Sequence, residues 1–353
     1  MIMRDSKAFA TSLNDDNPTV VALILNWNLW ELTVECIESL EASDYRHLEI
    51  LVVDNGSIND SVERIREHKN IVRTRGGAAA QLPFRILRSA ENLGYSGGNN
   101  LGLRRILSEN RADYVLLLNN DVVLAPDAIR ILVRNAMAHP EFALIGPKLL
   151  FFDKPTIVQC RGAKLSRPFV EMESLGFGET DRPDPEGAVP VDAVYGACLL
   201  VKASCLRTIG GLDETFRFYG EDIEWCLRAS RMGFLVGCVP SAKVWHRSEA
   251  STRYLGKERR YHNGRGRAIL LKKYVSPGIG ILSVIMWLPK ELARIIHNDR
   301  QVLPVLWYLR GFVGFYLSVS RNLTSLHPRS SLDDKVVEHK QSPIDDLSTN
   351  GKE

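Results

Sequence analysis

The segment Gly220-Glu221-Asp222 sets two adjacent carboxylates directly after a glycine, at the start of a helical stretch. A carboxylate at a helix N-terminus is favoured by the helix dipole, and an acid pair there can take the proton from an attacking hydroxyl. The same residues can equally cap their own helix. Asp121 closes the tripeptide Asn119-Asn120-Asp121 after an apolar run. A hard oxygen ligand at the mouth of a buried strand suits Mg²⁺ or Mn²⁺, which take few ligands from protein and the rest from phosphate and water. A capping role for Asp121 is disfavoured, because the next helix begins near Pro126. His246, in Lys243-Val244-Trp245-His246-Arg247, can complete such a site or meet a diphosphate as imidazolium; a lone histidine beside a tryptophan is more often structural. At another strand end, Asp54-Asn55-Gly56-Ser57 offers a carboxylate and an amide to a base edge or to ribose hydroxyls, and it also makes a favourable turn.

A glycine-rich stretch runs from Asn92 and Gly94 through Gly97 and Gly98 to Asn99. Such a stretch opening a helix lets backbone amides approach a ligand. It lacks the G-x-G-x-x-G pattern and follows the third strand rather than the first, which disfavours a dinucleotide site.

These residues need elements to hold them. Val20 to Leu25 and Leu48 to Val53 are continuous apolar runs rich in branched residues, the pattern of strands covered on both faces. A short strand at 84–87 and another at 114–118 follow, with helices expected at 30–42, 61–68, 98–110 and 126–138. This alternation predicts a mostly parallel α/β sheet, in which ligands gather at the carboxyl ends of the strands. Three of those ends carry Asn or Asp: Asn26-Trp27-Asn28, Asp54-Asn55 and Asn119-Asn120-Asp121. Beyond residue 150 the reading gives short strands at 151–152, 157–162 and 190–201, a surface loop at 164–187, a helix at 222–232 and a strand at 234–239.

The composition of the 353 residues is that of a globular protein, with 45 basic and 42 acidic side chains. That balance argues against a general nucleic-acid binder. Its placement is uneven: Arg247, Arg253, Lys257, Arg259, Arg260, Arg265 and Arg267 crowd one stretch, which suits phosphates, an anionic membrane surface or simply a solvated face. The stretch 262–325 is helical and apolar but interrupted by charges and prolines, so it reads as interfacial helices or as a helical subdomain. The six cysteines form no C-x-x-C pair, and buried free thiols in a reducing compartment are expected. The polar N-terminal residues lack an apolar signal segment, which places the chain in the cytoplasm, at the inner face of the plasma membrane if the helices touch lipid.

Taken in order, Asn26-Trp27-Asn28, Val53-Asp54-Asn55-Gly56-Ser57, Asn92 to Asn99, Leu118 to Asp121, Gly196-Ala197-Cys198, Gly210-Gly211-Leu212-Asp213, Gly220-Glu221-Asp222 and His246 resemble family 2 glycosyltransferases, most of all their rhamnosyltransferase-like branch. The resemblance spans about residues 19–275. It implies a GT-A fold, a Rossmann-like mostly parallel sheet, here with a helical C-terminal extension. It also implies a nucleotide-diphosphate sugar donor, Mg²⁺ or Mn²⁺, and inversion at the anomeric carbon. On the matching positions, Asp222 would be the catalytic base and Glu221 its acidic neighbour. Asp121 and His246 would hold metal. Asn26, Asn28, Asp54, Asn55, Asn92, Gly94, Asn99, Asn120, Gly196 and Ala197 would line the donor pocket. The family's D-x-D motif is here Asn119-Asn120-Asp121, with a single carboxylate. The Q-x-x-R-W motif of processive synthases is absent, so addition of one sugar to a glycan or lipid-linked glycan is expected, in cell-surface polysaccharide synthesis.

The expected organisation is a disordered arm at 1–18, the GT-A domain at 19–260, a helical extension at 261–325 that contacts membrane peripherally, and a disordered tail at 326–353. Two other readings compete. A sugar nucleotidylyltransferase would carry a basic glycine-rich loop after its first strand, where this chain has Asn26-Trp27-Asn28. A non-catalytic sugar-nucleotide-binding relative would have less reason to keep Asp121, Asp222 and His246 together.

Overall fold

The computed structural model describes residues 17–76, 82–166, 171–184, 186–247, 256–299, 303–318 and 345–346. The arm expected at 1–18, except its last two residues, lies outside the described residues, as do Arg253 of the basic stretch and most of the segment 326–353.

The first strand, Val20–Asn26 (β1), shows why continuous apolar runs form the centre of the sheet. Alternate residues point to opposite faces. Val20, Ala22 and Ile24 join one buried cluster, and Val21 and Leu23 join another. The helix Trp30–Glu41 (α1) covers the first face with Cys36, Ile37 and Leu40. The strand Leu48–Asp54 (β2) repeats the division and is buried throughout. Ser61–Arg75 (α2), Phe84–Arg88 (β3), Gly94–Glu109 (α3) and Tyr114–Asn119 (β4) follow. Each fully buried Leu, Ile or Val in these strands contributes about 1.5–3 kcal/mol.

Helix α3 starts four residues before the expected Gly98, so the glycine-rich stretch is its first turns rather than a ligand-cradling loop. Packing explains the glycines. A Cβ on Gly98 would lie 2.6 Å from Leu25 Cδ1, and one on Gly102 would lie 2.3 Å from Leu23 Cδ1. They bring α3 tightly onto β1.

After β4 come the short strand Val122–Leu124 (β5) and the helix Ala128–Ala138 (α4). The strand Phe142–Phe151 (β6) is ten residues long where only its end was expected. It is followed by Val158–Cys160 (β7), then Ala163–Ser166 (β8) and Glu171–Ser174 (β9), which pair as a hairpin inside the segment read as a surface loop. Farther along that segment, Asp181 and Asp184 form ion pairs with Lys148 of β6, which is 1 % exposed, Asp181 at 2.5 Å. Lys243 adds a second cation to Asp181 at 2.7 Å. A buried ammonium needs such partners, and they pin the loop to β6.

Val189–Pro190 (β10), Cys198–Lys202 (β11), Ala203–Ile209 (α5) and Glu221–Arg231 (α6) precede the strand Leu235–His246 (β12), which runs seven residues past its expected end. The sheet order is β10-β12-β6-β11-β4-β1-β2-β3, parallel across β4-β1-β2-β3 and between β6 and β12, with β11 antiparallel between them. The expected α/β sheet, parallel at its centre, is therefore present.

Three helices follow: Gly256–Tyr274 (α7), Pro277–Asp299 (α8) and Leu303–Ser318 (α9). They share a core of Ala268, Leu271, Trp287, Ile295, Val305, Tyr308 and Phe312. Helix α7 also clamps the sheet domain. Lys273 Nζ donates to Asp213 Oδ2 at 2.6 Å and to Glu224 Oε1 at 2.7 Å, and the Tyr274 hydroxyl donates to Glu224 Oε1 at 2.9 Å. Within the C-terminal segment expected to lack regular structure, Asp345–Asp346 (β13) pairs antiparallel with β3 at Ile86 and Arg85. All six cysteines are buried free thiols, as expected.

Candidate active site

Sheet register brings the strand ends together. Asn26 is paired with Asp54 across β1 and β2, and Asn119 of β4 is paired with Leu25. The side chains of Asp54, Asn26, Thr33 and Asn120 form one hydrogen-bonded line beneath the cleft. Asn26 Nδ2 donates to Asp54 Oδ1 at 2.8 Å, and Thr33 Oγ1 donates to Asn26 Oδ1 at 2.8 Å. Asn120 Nδ2 reaches Thr33 Oγ1 at 3.1 Å. Asp54 is fully buried; its Oδ1 also accepts from Ser57 Oγ at 2.5 Å and its Oδ2 from the Ser57 N–H at 3.2 Å. A carboxylate so enclosed holds the turn rather than meeting a ligand directly. Asn55 is the residue this strand end presents to the cleft. Its amide closes the next loop, donating to Gly94 O at 3.0 Å and accepting from the Leu93 N–H at 3.0 Å.

The cleft itself has a volume of about 690 Å³, within the range that encloses a cofactor-sized ligand. Of the expected residues, Asn55, Asn92, Asn120, Gly196, Ala197, Glu221, Asp222 and His246 line it. Asn26, Asp54 and Asn99 are wholly buried behind it. Gly94 is buried at the start of α3, and Asn28, at φ +60°, spends its Oδ1 on the Ile58 N–H at 2.9 Å.

Asp222 sits in the first turn of α6. Its Oδ2 accepts from the Gly196 N–H at 3.0 Å and its Oδ1 from the Ile223 N–H at 2.8 Å. Burial pushes its carboxyl above the ordinary value, and those backbone N–H groups pull it partly back. Glu221 is pushed up well above its ordinary value, first by burial and then by the charge of Asp222, and its Oε2 is buried without a hydrogen-bond partner among the described residues. The turn delivering both acids is strained: Tyr219 has φ +67° and Gly220 φ +101°. Non-glycine residues at positive φ tend to cluster at functional sites. At Gly196 a Cβ would lie 3.1 Å from the Tyr95 hydroxyl and 3.3 Å from Asp222 Cβ. A side chain there would press on the acid.

Asp121 and His246 are brought together by strand pairing. His246 of β12 is registered against Val122 of β5, the residue after Asp121, and the Arg247 N–H donates to Asp121 O at 3.0 Å. The result is His246 Nε2 3.4 Å from Asp121 Oδ1, with both side chains largely buried. His246 Nδ1 lies 3.0 Å from Gln159 Oε1. An acceptor on Nδ1 fixes its proton there and turns the Nε2 lone pair toward the carboxylate. Two acceptor atoms facing one another at this distance suit a cation between them. The donor set, one carboxylate oxygen and one imidazole nitrogen, fits Mg²⁺ or Mn²⁺ if phosphate and water supply the other ligands. Among the described residues no group of three or more His, Cys, Asp or Glu side chains is arranged to hold a metal ion. The Tyr95 hydroxyl donates to Gly196 O at 2.9 Å, and burial first, then the charges of Glu221, Asp222 and Asp121, push it well above its ordinary value.

Residues 21–168 match the profile of glycosyl transferase family 2, and residues 114–332, more than half of the chain, match that of glycosyl transferase family group 2. The chain is a family 2 glycosyltransferase. Its similarity to curated relatives is moderate. It is 26 % identical over 250 residues to the low-salt glycan biosynthesis hexosyltransferase of Haloferax volcanii, covering 65 % of this chain and 69 % of that one. It is 26 % identical over 235 residues to the N-acetylglucosaminyl-diphospho-decaprenol L-rhamnosyltransferase of Mycobacterium tuberculosis, covering 61 % and 72 %. Among solved structures, S. aureus TarS with UDP-GlcNAc superposes with a TM-score of 0.53 at 12 % identity, over 84 % of this chain and 80 % of that one. The mannosyltransferase PcManGT from Pyrobaculum calidifontis with GDP-Man and Mn²⁺ gives 0.51 at 13 % identity, over 87 % and 89 %. These likenesses establish the GT-A fold of the glycosyltransferase.

Sequence reasoning missed several cleft residues. Tyr219 and Phe218 line it directly before the acid pair, and their adjacency to Gly220 was a usable signal. Gln159 had none, since its partner is 87 residues away. Phe177, 66 % exposed on the pinned loop, lines the cleft and meets Phe151 edge-on at 5.7 Å.

Proposed function

We propose that this glycosyltransferase moves a single sugar, rhamnose or another hexose, from a nucleotide-diphosphate sugar to a glycan or lipid-linked glycan acceptor, with inversion, in cell-surface polysaccharide synthesis. The observation that carries the reading is one cleft lined by Glu221, Asp222, Gly196, Asn55 and His246, with Asp121 directly behind His246. The nucleoside end of the donor would dock against Asn55 and Asn92, over a floor stiffened by Asp54 and Asn26. Asp121 and His246 would hold Mg²⁺ or Mn²⁺, which when bound neutralises the departing diphosphate. Asp222, steadied by two backbone N–H groups, takes the proton from the attacking hydroxyl; its raised carboxyl is better matched to that task than an ordinary aspartate. Glu221, buried beside it, keeps a proton to higher pH and so spares Asp222 a second negative neighbour. Relatives that act on a diphospho-polyprenol sugar and on a glycan, and structural neighbours that hold nucleotide sugars or Mn²⁺, support the same assignment.

No helix among the described residues is long and apolar enough to cross a membrane. A peripheral contact through the helices between 262 and 325, at the inner face of the plasma membrane, is supported by outward apolar side chains on α8 and α9, among them Ile285 at 65 % and Leu306 at 57 % exposure. A panel of nucleotide sugars screened for thermal stabilisation with Mn²⁺ tests the donor assignment, because a ligand of the native state raises its melting temperature. Stabilisation by none of them would contradict it.

A further inference from the structure

The positive charge concentrated on α7 is not spread evenly over solvent. Asn263 lies four residues after Arg259 and three after Arg260, so it neighbours both on the surface of α7, and all three line the same cleft as Asp222. Arg294 of α8 lines it too, held in a bidentate pair with Glu291 at 2.7 and 2.9 Å. Burial, then the charges of Arg265 and Arg217, hold the His262 imidazole below its ordinary value against the opposing charge of Glu258. The Tyr308 hydroxyl is raised first by burial and then by Glu291, while Arg267, Arg294 and Arg260 oppose the rise. Glu291 pairs with Arg294, and the acids Glu221 and Asp222 line the same cleft as these arginines.

We infer that the α7 face carrying Arg259, Arg260 and Asn263 binds the phosphates of an amphiphilic, lipid-linked diphosphate acceptor, at a place separate from the one that receives the diphosphate of the donor. Guanidinium groups grip phosphate oxygens bidentately, and two in succession with an amide beside them suit a diphosphate better than a neutral sugar. Asp121 lies in the turn between β4 and β5 and His246 ends β12, whereas these arginines come from helices beyond the sheet. On the outer side of those helices, Ile281, Leu282, Ile285 and Met286 form an exposed stripe at helical spacing. A ligand with a charged head and a hydrocarbon tail satisfies both features, the head in the cleft within reach of the base and the tail along α8.

This assignment rests on the glycosyl-transfer reading above, so its test separates the two. Binding of geranylgeranyl diphosphate to the full chain is measured by calorimetry in EDTA, with geranylgeraniol as the uncharged control. The account expects R259A/R260A to weaken the diphosphate at least tenfold and the alcohol by less than twofold, with D121N leaving both unchanged. Should R259A/R260A fail to fold, N263D, which places a negative charge on the same face, must weaken the diphosphate instead. Equal losses for diphosphate and alcohol, loss on D121N alone, or displacement by phosphatidylglycerol vesicles as effective as by the prenyl diphosphate would each overturn it. Mn²⁺-dependent stabilisation of the wild-type chain by nucleoside diphosphates, measured in parallel, reports on the donor site alone. Its absence alongside intact prenyl diphosphate binding would remove the donor reading and leave this one standing.

Discussion

His246 points Nε2 at Asp121 Oδ1 across 3.4 Å while its Nδ1 rests 3.0 Å from Gln159 Oε1. The three side chains come from β12, the end of β4 and β7, so the sheet itself builds the relay. In the proposed metal site Gln159 would act through the histidine as a positioning residue. Replacing it with leucine frees Nδ1 and leaves the tautomer unspecified. Mn²⁺ affinity is then expected to fall about 10- to 100-fold, read from the free Mn²⁺ signal by electron paramagnetic resonance. An unchanged affinity would mean that His246 is oriented by something else.

Glu221 carries a carboxyl that burial makes costly to ionise. Its folded-state value lies above the unfolded one, so the stability it contributes is complete below the unfolded value and is lost as pH rises through the folded value. Glu221→Gln removes that loss. At neutral pH the variant should melt about 1–2 °C higher, the scale on which about 1 kcal/mol moves a chain of this size. The gain should shrink toward zero as pH falls below the ordinary carboxylate range. A variant that melts lower at neutral pH would show that the charged form is stabilised.

As the proposed base, Asp222 must be ionised for transfer. Because burial raises its carboxyl, the acid limb of kcat against pH should lie above the range of an ordinary aspartate, and activity should drop as pH falls through it. A limb at the usual aspartate position would place the base in a wetter setting than the cleft.

Helix α7 crosses the strained Tyr219-Gly220 turn so closely that a Cβ on Gly266 would stand 2.1 Å from Tyr219 O. Backbone cannot yield as a side-chain tip does. Gly266→Ala should therefore cost about 1–3 kcal/mol in denaturant unfolding, and transfer should fall with it because the turn carries the acid pair. Loss of stability with transfer at full rate would uncouple α7 from the site.

The centre of the sheet was legible in the sequence because β1, β2 and β4 are apolar on both faces, and that pattern has few other meanings. The polar residues ending them were legible for the same reason: Asp54 and Asp121 interrupt runs that otherwise bury everything. What they do there was less so. Asp54 is enclosed by Asn26 and Ser57, a fact fixed by the register between two strands rather than by the turn-like sequence around it. Strand β6 was read only at its end, because Pro147 and Lys148 look foreign to a buried strand. Lys148 is tolerated there through Asp181 and Asp184, more than thirty residues away. The basic stretch advertised phosphate, membrane and solvent alike. Only the packing of α7 turns Arg259 and Arg260 into the cleft.

The central claim is that Asp222 and the Asp121–His246 pair serve one reaction in one cleft. Donor consumption with acceptor present, measured with and without Mn²⁺ on wild type and on Asp222→Asn, tests it most directly. The account predicts Mn²⁺-dependent transfer by wild type, and a loss of about 10²–10⁴-fold in the variant while thermal stabilisation by the donor persists. Transfer at the wild-type rate by Asp222→Asn would contradict it.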